Sequence, residues 1–187
     1  MMTTKSLKLV LAVAAWLLAP GANAAVYNFV QTGFDDGATI SGSFTVNDAN
    51  NSGQINVGSA VWGMNFNEIS AFSLSFSGNS IVGAFTHNLA ELSVMVYNLG
   101  SPYLGDEIHG AQQELIATNY FGTTGFDYYS GMGFGGFGGA VFDKASNATS
   151  YSYDLVSVTP AAVPVPGAIW LFGTVLAGVV GMKKRKA

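Results

Sequence analysis

The clearest metal-ligand spacing in the sequence begins at Asp48. Asp48, Asn50 and Ser52 place side-chain oxygens at alternate positions, and Gly53 follows them. This is the ligand order of the first half of an EF-hand calcium loop, in which glycine permits the sharp turn. The twelfth position is Ser59, so the bidentate glutamate of that loop is missing. The sequence therefore predicts a hairpin loop, with a weak Ca2+ site as the alternative and no other cofactor.

Acidic and histidine side chains are candidates for hydrolytic catalysis. A glycosidase needs two carboxylates across a cleft, and four glutamates are candidates that the sequence alone does not pair. His87 and His109 stand in none of the spacings typical of zinc enzymes, and no Gly-x-Ser-x-Gly elbow is present for a serine nucleophile. We therefore expect a non-enzymatic protein, with a secreted hydrolase as the least favoured alternative. The glutamates are Glu68, Glu91, Glu107 and Glu114.

Tyrosine rings provide a second alternative function. An aromatic-rich β-domain can use such rings as a flat, partly polar binding surface, and this favours a carbohydrate-binding module with an extracellular polysaccharide as partner. Exposed and coplanar rings would support that function, whereas burial of all of them would argue against it. The candidate rings are Tyr97, Tyr103, Tyr120, Tyr128 and Tyr129.

The elements that position these residues are predicted to be β-strands. In Ile40–Val46, Ile40, Phe44 and Val46 alternate with polar residues, and Gly42 leaves a gap on the apolar side. Such period-two alternation is typical of half-buried antiparallel strands. It is cleanest at 71–77, where Phe72, Leu74 and Phe76 are predicted core residues, followed by a tight turn at Gly78-Asn79 and a returning strand.

About nine or ten short strands with Gly-rich connections are expected, and no long amphipathic helix. This favours an all-β fold, a single antiparallel β-sandwich or jelly-roll-like domain. A closed barrel is the alternative. The predicted strands cover 26–30, 40–46, 54–57, 71–77, 80–86, 91–98, 115–121, 124–129, 140–143 and 150–158. In the last, the expected buried phase changes from Tyr151, Tyr153 and Leu155 to Val156 and Val158, which indicates a bulge or burial on both faces.

Charge and cysteine content exclude several classes of protein. Residues 25–162 contain all eleven acidic residues but only one cation, Lys144, for a formal charge of −10. Such a surface repels nucleic acid and anionic lipid. The chain has no cysteine, which excludes a disulfide framework, a thiol nucleophile and a thiolate metal site.

The N-terminus has the organisation of a secretory signal peptide. Lys5 and Lys8 form a basic region, Leu9–Ala19 an apolar core, and Ala22 and Ala24 a small-x-small cleavage pattern. We therefore assign 1–24 to a signal peptide that signal peptidase removes after Ala24, with an uncleaved anchor as the alternative.

The C-terminus has three parts. Val163, Pro164, Val165 and Pro166 form an extended segment, because proline fixes φ and lacks a backbone donor. An uncharged run follows over 167–182, long enough for a helix of about 24 Å, slightly short of the roughly 30 Å hydrocarbon core. A basic tail then stops transfer and holds the C-terminus in the cytoplasm. The tail is Lys183, Lys184, Arg185 and Lys186, within 183–187.

This ending resembles the PEP-CTERM sorting signal, which combines a short proline motif, a membrane helix and a basic tail. Trp170, Leu171, Phe172 and Gly173 stand where that family carries a Trp-Leu-Phe-Gly-like sequence. The proline motif has Val165 where the name-giving motif has glutamate. It is closer to the Val-Pro-Leu-Pro-Ala variant, with glycine following in place of alanine.

The resemblance covers 163–187 and implies a sorting route. It implies export across the inner membrane of a Gram-negative bacterium, transient anchoring by the C-terminal helix, and cleavage near 164–166 by an exosortase-type enzyme. The product would reach the cell surface or an extracellular matrix, such as that of a biofilm. A permanent, uncut anchor is the alternative. The secreted domain is then 25–162.

Overall fold

The computed structural model describes residues 25–48, 50–58, 67–104, 114–131 and 138–161. These residues form an all-β protein with two antiparallel six-stranded sheets, which confirms the coarse prediction of a β-sandwich. The strands are β1 (Ala25–Gln31), β2 (Ile40–Val46), β3 (Gln54–Val57), β4 (Ile69–Phe76), β5 (Phe85–Asn88), β6 (Leu92–Asn98), β7 (Tyr103–Leu104), β8 (Leu115–Thr118), β9 (Phe126–Gly131), β10 (Gly139–Asp143), β11 (Ala148–Ser152) and β12 (Val156–Pro160). A 3-10 turn spans Asp35–Gly37.

The first and last strands are neighbours in the middle of one sheet. Sheet A has the order β5-β4-β2-β1-β12-β7, and sheet B has the order β11-β10-β9-β8-β6-β3. Tyr27 of β1 lies opposite Pro160 of β12, and the backbone N–H of Ala161 donates to the carbonyl oxygen of Val26 at 2.7 Å. The first and last described residues therefore lie on adjacent strands.

The two sheets pack face to face with their strands crossing. Tyr128 of β9 donates a 2.8 Å hydrogen bond to Gln31 at one end of β1. Tyr97 of β6 packs edge-on against Tyr27 near the other end, with ring centroids 5.6 Å apart. Successive strands of sheet B therefore follow one another along a single strand of sheet A, as in orthogonally packed sheets.

Aromatic rings fill the space between the sheets, and one of them covers a glycine. Phe29 of β1 lies directly opposite Gly42 of β2. A Cβ on Gly42 would stand 2.3 Å from the Phe29 ring and 2.1 Å from the carbonyl oxygen of Ser73. The gap predicted at Gly42 is therefore filled by the Phe29 ring of the neighbouring strand. The core residues predicted in these strands, Ile40, Phe44, Val46, Phe72, Leu74 and Phe76, are all buried.

The prediction of one strand over 150–158 is wrong. Its two halves are β11 and β12, which belong to different sheets. The buried phase expected for Tyr151 and Tyr153 is also wrong, because these rings are 40% and 73% exposed whereas Ser150 and Ser152 are fully buried. The expected burial of Val156 and Val158 is confirmed. Around Ser150 and Ser152 the two sheets are joined by hydrogen bonds instead of by apolar contacts. Hydrophobic alternation in the sequence does not reveal such bonds.

Three other sequence expectations need correction. Gln54–Val57 does not return beside β2 but pairs with β6 in the other sheet. The β4–β5 hairpin is confirmed, but its connection is longer than the predicted tight turn. Period-two alternation predicts Leu92, Val94 and Val96 on one side of β6, but a bulge between Leu92 and Val94 separates them. Val94 and Val96 join a second apolar cluster while Leu92 stays in the main core.

The Phe29–Gly42 contact provides a test of the packing. We expect Gly42→Ala to lower the free energy of unfolding by about 1–3 kcal/mol, the usual cost of overpacking a core. Urea unfolding would measure this change. Gly83→Ala is the matched control, because its Cβ would come no closer than 3.8 Å to a neighbouring atom, on the Phe126 ring. Equal midpoints for the two variants would contradict the proposed close contact.

Candidate functional site

The outer face of sheet A is an array of uncharged, mostly hydroxyl and amide side chains. These residues alternate with core positions, so they point away from sheet B, and all are exposed or half-exposed. We name this surface the hydroxyl face. It comprises Thr86 and Asn88 of β5, Ala71, Ser73 and Ser75 of β4, Ser41, Ser43 and Thr45 of β2, Val26, Asn28 and Val30 of β1, Ser157 and Thr159 of β12, and Tyr103 of β7.

Strand register aligns the hydroxyl face in rows. One row crosses five strands, and its Ser43 and Ser73 hydroxyl oxygens lie 3.1 Å apart. Because neighbouring strands are about 4.8 Å apart, the row presents hydrogen-bonding groups over about 19 Å. Its members, each opposite the next, are Asn88, Ser73, Ser43, Asn28 and Thr159. The adjacent row is Thr86, Ser75, Ser41, Val30, Ser157 and Tyr103.

The single cation of the predicted secreted domain is engaged inside the protein. Lys144 Nζ lies 2.5 Å from Asp127 Oδ1 and donates to the carbonyl oxygens of Asn119 and Gly122 at 2.9 and 2.6 Å. Burial raises the pKa of Asp127, and Lys144 opposes that shift. A partner therefore meets a surface made of acidic and neutral groups.

The outer face of sheet B differs from the hydroxyl face. It carries a second apolar cluster of Val94, Val96, Leu115 and Ala117, each only 3–6% exposed, with Tyr129 packed against it. The centre of this face is therefore apolar and buried, although Tyr151 at its margin is 40% exposed. Among the described residues, the hydroxyl face is a broad, polar and open surface that a ligand could reach.

The tyrosines expected to form one stacking platform do not share one coplanar surface. Tyr97 and Tyr128 are 1% and 0% exposed, so assigning them to a platform is wrong. Burial raises the pKa of Tyr97 to about 12 and also raises that of Tyr128. The rings of Tyr120 and Tyr129 are nearly perpendicular, at 87°. Tyr103, 38% exposed, lies at the end of the hydroxyl face.

The predicted calcium loop is closed by its own hydrogen bonds. The Asp48 carboxylate accepts the backbone N–H groups of Ser52 and Gly53 at 2.9 and 3.0 Å, and Asn50 Oδ1 accepts from Ser52 at 2.7 Å. Glu68 also reaches this loop, since its Oε1 accepts from Asn50 Nδ2 at 2.9 Å. Glu68 is 18 residues from Asn50 along the chain, and no spacing in the sequence links it to this loop.

The donor set at this loop suits calcium by type. Carboxylate, amide and hydroxyl oxygens are the ligands that Ca2+ takes, and Asp48, Asn50, Ser52 and Glu68 supply them. Groups of three or more acidic, His or Cys side chains arranged for a metal are absent from the described parts of the chain. Backbone N–H groups already donate to the Asp48 carboxylate and to Asn50 Oδ1, so an ion would have to share or displace these donors.

Asp48→Ala distinguishes a self-closed loop from a calcium site. We expect the variant to lose about 1 kcal/mol of stability, because two N–H groups lose a charged acceptor. Thermal unfolding should show the same loss in EDTA and in millimolar Ca2+. Asp143→Ala, which removes another turn-capping carboxylate, is the control. A calcium-dependent rise in Tm that Asp48→Ala abolishes and Asp143→Ala retains would instead establish the calcium site.

The candidate hydrolytic residues that the structure describes are engaged in separate local contacts. Each of three glutamates accepts a backbone N–H group. Glu68 accepts from Asn56 at 2.9 Å, Glu91 from Asn88 at 2.8 Å and Glu114 from Asn98 at 2.8 Å. Glu107 and His109 lie outside the described residues. These contacts give the three carboxylates structural roles.

His87 bridges the two sheets. It is 8% exposed, and its Nδ1 lies 2.7 Å from Thr118 Oγ1. Burial lowers the pKa of His87, the Glu91 carboxylate opposes this shift, and Lys144 adds to it. The neutral ring is therefore a core component, packed beside Phe85 at a centroid distance of 4.8 Å.

The His87 environment predicts a pH dependence of stability. Because its pKa is lower in the folded protein than the ordinary value of 6.5, the unfolded chain binds a proton more readily. The contribution of His87 is therefore complete above about pH 6.5 and is lost as the pH falls below it. We expect His87→Gln to weaken this dependence when unfolding free energies are measured between pH 7 and 5. An unchanged slope would contradict the assignment.

The predicted sorting residues lie outside the described residues. These are Ala22 and Ala24, the 163–166 motif, the 167–182 helix and the basic tail. Within the part that the structure describes, no helix has the length and apolarity needed to cross a membrane. Comparisons of the chain with protein-family models, with curated proteins and with solved structures find no match.

Proposed function

We propose that this chain is an exported surface or extracellular-matrix protein with a non-enzymatic β-domain. Signal peptidase would remove residues 1–24, and an exosortase-type enzyme would cut near 164–166 after the C-terminal helix has held the protein in the inner membrane. The two flanking helices and the jelly-roll-like form of the sandwich belong to this proposal. The organism would be a Gram-negative bacterium, and the matrix that of a biofilm.

The proximity of the first and last strands supports this proposal. β1 begins at Ala25, the residue that follows the expected signal-peptide cut, and the Ala161–Val26 hydrogen bond holds the other end beside it. Both predicted targeting segments therefore connect to one end of one sheet. Their removal would leave every described strand pairing intact, as release of a folded domain requires.

Intact mass tests the proposed processing. We expect the released protein from the native host to begin near Ala25 and end close to 164–166, and the cell-associated fraction to contain a species that still has residues 167–187. Replacement of both Pro164 and Pro166 by alanine is expected to reduce release. A released protein that retains 167–187, or a chain that is never cut, would contradict the sorting proposal.

A carbohydrate-binding module is the second candidate function. The hydroxyl face supports it, because its side chains are uncharged and rich in groups that both donate and accept hydrogen bonds. The sheet-face location also differs from the tyrosine platform expected from the sequence. Of those five rings, Tyr103 alone belongs to this face.

A further inference from the structure

We propose that the hydroxyl face binds a neutral polysaccharide, lying across the strands of sheet A. This inference rests on the second proposed function and identifies both its surface and its ligand class. The ligand would be an uncharged, hydroxyl-rich glycan chain, such as a glucan. The row from Asn88 through Ser43 to Thr159 would supply its central contacts.

Hydrogen-bonding capacity favours a hydroxyl-rich ligand. Serine and threonine hydroxyls each donate one hydrogen bond and accept others, and asparagine supplies both an amide donor and a carbonyl acceptor. Sugar hydroxyls have the same dual capacity, so rotation of either partner can match a donor to an acceptor. Because water can bridge such groups at little cost, the contact does not require a dry interface.

Charge favours a neutral chain over an anionic one. The 25–162 segment carries a formal charge of −10, and its single cation is held by Asp127 and two carbonyl oxygens. A uronate-rich or sulfated polymer would therefore be repelled by the protein as a whole. A neutral polymer is not repelled, and it meets a face whose described strand residues are all uncharged.

Composition argues against a protein partner on the same face. Serine is depleted in protein–protein interfaces, whose centres are enriched in aromatic residues and arginine. The middle strands of the hydroxyl face instead carry Ser41, Ser43 and Asn28 beside two small apolar side chains, Val26 and Val30, and its one aromatic side chain, Tyr103, lies on the last strand of the sheet. Desolvating these groups against a second copy would provide little apolar contact to offset the cost.

The test measures glycan binding by the full chain. Wild type and variants would be purified in a polyoxyethylene detergent, which has no sugar headgroup to compete. Binding to insoluble cellulose would be measured by depletion, and binding to soluble neutral α- and β-glucans by affinity electrophoresis. Polygalacturonate serves as the anionic comparison.

Two sets of substitutions locate the binding surface. The triple variant Asn28→Ala, Ser43→Ala, Ser73→Ala removes the central row, and Ser75→Ala with Ser157→Ala tests the adjacent row if the triple variant fails to fold. The control variant changes exposed residues away from sheet A's outer face, namely Ser80→Ala, Thr123→Ala and Ser146→Ala. Thermal unfolding would establish that each variant is folded.

We expect wild type and the control variant to bind at least one neutral glucan and the face variants to bind it at least tenfold more weakly. Absence of binding to every neutral glucan, preference for polygalacturonate, or equal binding by the face variants would each overturn the inference. So would sedimentation showing that the face instead mediates self-association. None of these results changes the intact mass, so failure here is distinguishable from failure of the sorting proposal.

Discussion

The buried side chain of Gln31 fixes how the two sheets meet. It is fully buried near one end of β1, where its Oε1 accepts the Tyr128 hydroxyl and its Nε2 donates to the Asp154 carbonyl oxygen at 2.7 Å. An unpaired buried amide would cost about 1–3 kcal/mol. The sheets are therefore held in a relative position that lets Gln31 reach both Tyr128 and Asp154. Gly139 permits the approach, because its Cβ would stand 2.8 Å from Gln31 Oε1.

The hydrogen bonds around Gln31 make one end of the sandwich different from the other. Around Gln31 the sheets are joined by hydrogen bonds, including that from Ser150 to Asp35 at 2.8 Å. Farther along β1 they are joined by rings, where Tyr97 meets Tyr27. Hydrogen bonds specify position more narrowly than apolar contacts do, whereas the rings contribute most of the buried apolar area. The two together define one packing of the sheets.

The same packing determines which surfaces are open. Most aromatic residues of sheet A point inward, and the alternating outer positions carry mainly Ser, Thr and Asn, with Tyr103 as the exception on β7. Sheet B has apolar residues on both sides, and its outer cluster around Val96 is buried. The acidic 25–162 segment, whose single cation is engaged by Asp127, thus has a broad neutral surface among its described residues. This asymmetry underlies the proposed glycan binding.

The sequence by itself determined the all-β class, the core phases of β2 and β4, the gap at Gly42 and the predicted sorting segments. Period-two alternation is a local property, so one strand is enough to reveal it. Tertiary structure decided the change of sheet after Ser152, the burial of Tyr97 and Tyr128, the approach of Glu68 to the Asp48 loop and the rows of the hydroxyl face. Those features depend on register and on contacts between residues distant in the chain, which local alternation does not encode.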